Sequence, residues 1–386
     1  MAATEHLVLG SMSGSSLDGL DLAVCRFTLA PAGERLIPDW EILAAVTDPY
    51  PPPWRARLRS APSLPGRELW RLHADFGRWV GQRARAFLEQ HPQLKPELVG
   101  SHGHTVFHYP EQRFTTQIGD GAVVAQELGL PTVTELRGAD VQAGGQGAPL
   151  APLADKYLFP EYAAFLNLGG IANLSVRQPD GTYLAGDISG CGQIMDRLAA
   201  REGLAYDAGG ALAAEGSLAP AFAPRMAALP YHDQPYPKSL DNGWVRDEQW
   251  PAVAELDLAP RDALHSYAKW LAVKITLDLE QVGAYSVCGE GAPEIRVSAR
   301  NGSRSRVLLT GGNAHNDFLV RQLRLAQPEL EFVVADPQIT DFKEAALIAL
   351  GALLRVHGIP NAVASATGAA WDTVNGALYL PGRSAT

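Results

Sequence analysis

Cysteine is scarce in this chain. Cys25, Cys191 and Cys288 are far apart in 386 residues, which excludes a dense disulfide framework and suits a reducing compartment. Basic runs are also missing. The formal net charge is −10, and no Lys/Arg cluster offers the electrostatic footprint with which proteins hold nucleic acid. An acidic surface of this kind promotes solubility and singles out no partner. No apolar run is long enough to span a bilayer, and Met1-Ala2-Ala3-Thr4-Glu5-His6 has neither the basic nor the apolar region of an export signal. The expected location is therefore cytoplasmic, with no membrane partner. No low-complexity tract is present, and neither GxxxxGK[ST] nor GxGxxG occurs, so the Walker-type and Rossmann signatures are both missing.

What the chain does have is a repeated Gly-rich turn between apolar strands. The first strand, Leu7-Val8-Leu9, runs into Gly10-Ser11-Met12-Ser13-Gly14-Ser15-Ser16-Leu17-Asp18-Gly19 and returns through Leu20 to Phe27. The second spans Ala163 to Leu168, turns at Gly169-Gly170 and returns through Ile171 to Val176. Glycine lets a backbone approach a ligand closely, and the N–H groups of such a turn form a concave anion site. A third turn, Gly311-Gly312-Asn313, follows the strand Val307 to Thr310. Two such hairpins followed by a third turn point to phosphoryl transfer.

Strands alternating with helices predict an α/β fold. A helix is expected around Leu69, Leu72, Phe76, Val80, Ala84 and Phe87, which recur near a 3.6 period. Further helices are expected after Asp120 to Leu128, from Arg261 to about Val282, from Asp317, and from about Lys343 to Val356. Leu98 to His108 and Pro131 to Thr134 read as strands. Arg137 to Pro149 reads as a loop with four glycines. A chain of this length fits two domains. The expected division is 1–155 and 156–386, with the last helix free to pack back on the first domain.

The first turn offers hydroxyls and N–H groups for phosphate oxygens, while Asp18 and Asp21 offer the oxygen ligands Mg²⁺ prefers; an ordinary hairpin turn uses the same residues. Asp187, among the small residues of Gly186-Asp187-Ile188-Ser189-Gly190-Cys191-Gly192, is a candidate general base or else the N-cap of the helix that follows. Cys191 is a weaker candidate nucleophile. His102, His104 and His108 share strand parity, which permits a metal site or polar contacts to a ligand. Arg137 could clamp an anion. Glu344 is expected in the first turn of the last helix, where the helix dipole favours a carboxylate. Tyr236-Pro237-Lys238-Ser239 is a polar loop that could close on a substrate.

These motifs together resemble the anhydro-N-acetylmuramic acid kinases of the actin, sugar-kinase and heat-shock-chaperone superfamily. The resemblance rests on GSMSGSSLDGLD (10–21), SHGHTVFH (101–108), QIGDG (117–121), DVQAGGQGAP (140–149), NLGGIAN (167–173), TGGNAHN (310–316) and DFKEA (341–345). It implies two RNase H-like domains of the actin and hexokinase type with ATP and Mg²⁺ in a cleft. It also implies an enzyme that opens the 1,6-anhydro ring of a small amino sugar and phosphorylates O6, producing N-acetylmuramic acid 6-phosphate for cell-wall recycling.

By resemblance, Gly10, Ser11, Met12, Ser13, Gly14, Ser15, Ser16 and Leu17 would hold ATP phosphates, with Asn167, Gly169 and Gly170 in the second turn and Gly311, Gly312 and Asn313 against the nucleotide. Asp187 would activate water, His104, Arg137 and Glu344 would meet the sugar, and Asp18 would hold Mg²⁺ through water. A homodimer is left open. The chain departs from the family at Ile188-Ser189-Gly190-Cys191-Gly192, where Thr-Gly-Pro-Gly-Asn is usual. It also departs at His104, where many members carry Gln, and at Glu135-Leu136, where Asp-Phe is usual. These departures bear on substrate more than on fold. A non-catalytic ATP-binding switch, a kinase for another amino sugar and a histidine-based metallohydrolase are the competing readings.

Overall fold

Leu7-Val8-Leu9 and Leu20 to Phe27 pair as antiparallel strands, with Gly10 opposite Ala23. In the computed structural model, which describes residues 3–14, 17–31, 34–240, 242–284 and 304–382, these are β1 (Thr4–Ser13) and β2 (Gly19–Leu29). β3 (Asp39–Pro49) continues the antiparallel meander. The predicted amphipathic helix is α1 (Gly66–Glu89), and it buries Leu69, Leu72, Phe76, Val80, Ala84 and Phe87. It leads to β4 (Leu98–Tyr109), which lies parallel to β1. β5 (Phe114–Ile118) folds back on β4. α2 (Gly121–Leu128) begins where Asp120 accepts hydrogen bonds from the N–H groups of Ala122 and Val123. β6 (Thr132–Thr134) then joins β4 in parallel. The segment expected to be loop holds a short helix, α3 (Gly138–Gln142).

The second sheet is built from β7 (Ala164–Leu168), β8 (Ile171–Arg177) and β9 (Tyr183–Gly190), again an antiparallel meander. α4 (Gly192–Ala200) and α5 (Pro260–Gln281) follow. β10 (Ser305–Thr310) lies parallel to β7, α6 (Asp317–Ala326) follows, and β11 (Leu330–Val334) lies parallel to β10. The strand orders are β6-β4-β1-β2-β3 and β11-β10-β7-β8-β9. They correspond position by position and in direction: a three-stranded meander, then two strands parallel to its first. The repeated hairpin is thus the visible part of a repeated topology, in a mixed α/β fold.

α7 (Pro337–Val356) starts six residues before the expected Lys343. Asp336 accepts a hydrogen bond from the N–H of Gln338 at 2.8 Å, so Asp336-Pro337 is a cap followed by a proline in the first turn, where its fixed φ is favourable. β12 (Ala377–Tyr379) closes the first sheet antiparallel to β6. The chain divides into two compact units, 1–159 with 341–386, and 160–340. The tail from 341 therefore belongs with the first unit, the packing back that the sequence division left open for the last helix. Close packing accounts for this: a Cβ on Gly10 would lie 1.9 Å from Ala345 O, and one on Gly100 2.4 Å from Ile348 O. Only glycine lets α7 approach β1 and β4 this closely.

Candidate functional site

In the first unit the candidate residues gather where β1 and β4 end. Strand ends of this kind position ligand sites in open α/β sheets. Ser11 and Ser13 are buried, and their hydroxyls have partners within the fold. Ser11 Oγ donates to Ser101 Oγ at 3.0 Å. Ser13 Oγ accepts from Tyr50 Oη at 2.7 Å and pairs with His104 Nδ1 at 3.1 Å. Gly10 lies in the body of β1, and its missing side chain answers to α7. Of the described turn residues, Gly14 is half-buried, Leu17 has a φ of +60° and donates its N–H to Gly14 O at 3.4 Å, and Asp18 is exposed. Met12 is half-buried in β1. Ser15 and Ser16 lie outside the described residues, as does Cys288.

The three histidines do not form one group. Two steps of β1 (Ser11 to Ser13) span three steps of β4 (Ser101 to His104), and Gly103 has a φ of +71°. The alternation expected from sequence breaks at this irregularity. His102 Nε2 accepts from Arg137 Nε at 2.9 Å, and its Nδ1 faces Gly103 O at 3.0 Å. That pairing requires the tautomer protonated at Nδ1. Burial first, and then the Arg137 charge, push His102 down to about 3, so the ring is neutral. His104 faces Ser13, and His108 faces Thr115. Among the described residues no group of three or more His, Cys, Asp or Glu side chains could hold a metal ion.

Arg137 is half-buried, and burial pushes its pKa down to about 10 while Glu344 acts in the opposite sense. Its Nη1 donates to Gly147 O at 2.7 Å. Asp140 supports this arrangement, accepting from Gly147 N at 2.7 Å and from Thr367 Oγ1 at 2.8 Å. Glu344 lies well inside α7 and not in its first turn, so the helix dipole does not explain it. The pKa of Asp21 is raised, mainly by burial and then by the neighbouring carboxylates of Glu344, Asp341 and Asp18, against a hydrogen bond from Thr47. This edge of the first unit therefore brings together a half-buried cation and several carboxylates.

In the second unit the turns converge on one another. Gly170 O accepts from Cys191 N at 2.8 Å, and Gly169 O accepts from Gly192 N at 3.0 Å. Asn313 Nδ2 also donates to Gly169 O, at 3.3 Å. Asn167 and Gly311 touch in the same place. Beside them lies a small pocket of about 60 Å³, lined by residues that include Asp196, Asp207, Gly312, Asn313 and Asn316.

Asp187 belongs to the body of β9, not to a loop after it. The helix that follows is capped at Cys191 without a side-chain bond, so Asp187 is not its N-cap. A register irregularity falls beside it, with Ala172 opposite Ser189 but Asn173 opposite Asp187. Irregularities of this kind redirect a side chain and are frequent next to active sites. The carboxylate is half-buried. Burial raises its pKa, against one hydrogen bond from Leu240 N to Oδ2 at 2.7 Å. Cys191 is fully buried and its thiol is pushed up to about 12, which removes it as a nucleophile.

Tyr236 to Ser239 is not a free loop. Lys238 O accepts from Asp187 N at 2.9 Å, and the Lys238 side chain is buried beside Asp278. Sequence reading missed Tyr231, Asp278 and Leu240 altogether, because their importance comes from contacts distant in sequence.

Comparison with known proteins gives a consistent picture. The sequence profile of the family described as anhydro-N-acetylmuramic acid kinase matches residues 6–381. A protein of that description from Synechococcus elongatus is 32% identical over 96% of this chain and 99% of its own length. Another from Acidiphilium cryptum is 33% identical over 98% and 99%. Among solved structures, the (R)-2-hydroxyglutaryl-CoA dehydratase component A of Acidaminococcus fermentans is similar with a TM-score of 0.44 at 10% identity, covering 91% of this chain and 99% of that one. That likeness is too slight to build on.

Proposed function

The chain belongs to the anhydro-N-acetylmuramic acid kinase family, and from that premise we propose the reaction and the residues that carry it. The protein is an ATP-dependent sugar kinase of cell-wall amino-sugar recycling. In the proposed reaction, water adds to C1 of anhydro-N-acetylmuramic acid and the C1–O6 bond breaks. O6 takes the γ-phosphoryl group of ATP as the bond to ADP breaks, leaving N-acetylmuramic acid 6-phosphate. Asp187 removes the proton from water. A cytoplasmic location is part of the proposal; among the described residues, no helix is long and apolar enough to cross a membrane.

The observation that carries the assignment is the setting of Asp187. A half-buried carboxylate with a raised pKa, whose one N–H donor among the described residues is Leu240, is a better base than a solvated one. In the first unit, the Arg137 guanidinium retains N–H groups beyond the two bonded to His102 and Gly147, and these suit the substrate carboxylate. His104 and Glu344 would meet sugar hydroxyls. The turn from Gly14 to Leu17, the Asn167–Gly170 turn and Gly311–Asn313 would hold the nucleotide, chiefly through backbone N–H groups.

The carboxylates of Asp18, Asp341 and Glu344 act on Asp21 through their charge, but among the described residues no three such side chains form a metal-holding group, which fits Mg²⁺ held through its own waters better than direct ligation. Asp18 is the proposed holder. Bound Mg²⁺ would neutralise charge on the phosphates during transfer.

An assay of ADP release across anhydro-N-acetylmuramic acid, N-acetylmuramic acid, N-acetylglucosamine and glucose tests the reading. Release with the anhydro sugar alone is expected. Release with only a non-anhydro sugar would assign another kinase specificity, and nucleotide binding without any sugar-dependent release would make the protein a switch.

A further inference from the structure

The backbone from Tyr236 to Leu240 forms a strap along the outer edge of β9. Among the described residues β9 is the last strand of its sheet, so none of their strands meets its outer N–H groups. Lys238 O accepts from Asp187 N at 2.9 Å, and two residues later Leu240 N donates to Asp187 Oδ2 at 2.7 Å. The approach is close: a Cβ on Gly186 would lie 2.7 Å from both Lys238 O and the Tyr236 ring. Among the described residues, Leu240 is the one hydrogen-bond donor to this carboxylate.

The strap is held by a buried ion cluster. The Lys238 side chain is 2% exposed and that of Asp278 is 1% exposed, with Nζ 3.9 Å from Oδ2. Lys238 Nζ also stands 5.0 Å from the Tyr231 ring and 4.8 Å from the Tyr236 ring. Tyr236 Oη donates to Asp278 Oδ2 at 3.0 Å, and Lys274 Nζ donates to Oδ1 at 2.6 Å. A buried ion pair is a poor source of stability, since apolar side chains of similar volume often serve as well or better. What such a pair can supply is register.

We propose that the Lys238–Asp278 pair is a positioning device for Asp187, fixing the strap so that the Leu240 N–H stays on the carboxylate. The proposal rests on Asp187 being the base. Lys238 acts through the strap and is a positioning residue. An N–H bond favours the ionised form, and burial opposes it. Tyr231, which donates to Asp187 O at 2.8 Å, and Tyr236 are held protonated by burial. Burial and the Leu240 N–H are the two influences on Asp187 itself, while Lys238, Lys274 and Asp278 act on one another behind the strap, beside Asp233 and a His232 that burial pushes down to about 4. If the strap slackens, burial prevails and the base titrates at higher pH.

The test compares full-length Lys238→Met and Lys238→Arg with the wild type. Lys238→Met is expected to keep the KM for ATP and to lose about 10²-fold in kcat. The acidic limb of its kcat profile should move up by about one pH unit, and Lys238→Arg should recover most of both. Should Lys238→Met fail to fold, Tyr236→Phe, which removes only the hydroxyl bonded to Asp278, is expected to move the limb in the same direction by less. A folded Lys238→Met with wild-type kcat and pH profile overturns the proposal, as does equal loss in both Lys238 variants with the limb unmoved. Carbon-13 titration of the Asp187 carboxyl, assigned with Asp187→Asn, separates this question from the reaction itself. A wild-type chain inert to the anhydro sugar defeats the proposed function, whereas an identical Asp187 titration in wild type and Lys238→Met defeats the strap.

Discussion

Burial works on the Asp187 carboxyl to keep its proton, and the Leu240 N–H works to release it, with burial the larger effect. The folded-state pKa therefore lies above the 3.8 of the unfolded chain. Between those two values the folded state binds more protons, so stability falls as pH rises through that window and the deficit persists above it. Asp187→Asn removes the ionisation while its amide oxygen can still accept from Leu240. At pH 7 this variant should melt no lower than wild type, with any gain in Tm closing as the pH approaches 3.8. It should bind ATP normally and lose about 10²–10⁴-fold in kcat. Calorimetry across pH, beside the ADP-release assay, checks both halves. A variant that unfolds at pH 7 would make Asp187 structural instead.

At the scale of elements, the closest contact is between α7 and the centre of the first sheet. Gly10→Ala puts a methyl group into the space of Ala345 O, and the backbone of a packed helix has little room to yield. Overpacking of this kind costs about 1–3 kcal/mol or more, so urea unfolding should show a loss of at least that size; an unchanged midpoint would mean the helix can slide.

The elements differ in how openly the sequence announces them. The hairpins and α1 were legible because alternation and a 3.6 period are local patterns, and Asp120 and Asn316 cap their helices by local bonds. The start of α7 was hidden because Ile339 and Thr340 are weak helix formers and Asp336-Pro337 reads equally well as a turn. The strap was invisible because Lys238 looks like any surface lysine until α5 brings Asp278 to it across forty residues. The histidine parity misled because one irregularity in β4 is enough to break alternation. In the candidate site, Asp187 stood out by its small neighbours, while the close approach of a helix to Gly10 had no signal in the sequence beside the glycine itself.

Taken whole, the chain carries one topology twice, but only one copy is continuous. Unit 160–340 contains its own core, from Ala164 and Leu166 in the sheet to Tyr267 and Leu271 in α5. Expressed alone, it should show a cooperative thermal transition by circular dichroism. Residues 1–159 alone lack α7 and β12, which leaves Gly10 and Gly100 without the helix that covers them, and they should give no such transition. Adding residues 341–386 as a separate peptide should restore it. A cooperative melt from 1–159 by itself would show that the tail is dispensable.

The same discontinuity sets a timetable on the ribosome. Residues 1–159 leave the exit tunnel before their partner segment 341–386, which follows only after the entire second unit. At about 5–20 residues per second, the nascent amino-terminal sheet waits roughly ten to forty-five seconds with an apolar face uncovered. Chaperone capture of this protein should therefore concentrate on residues 1–159.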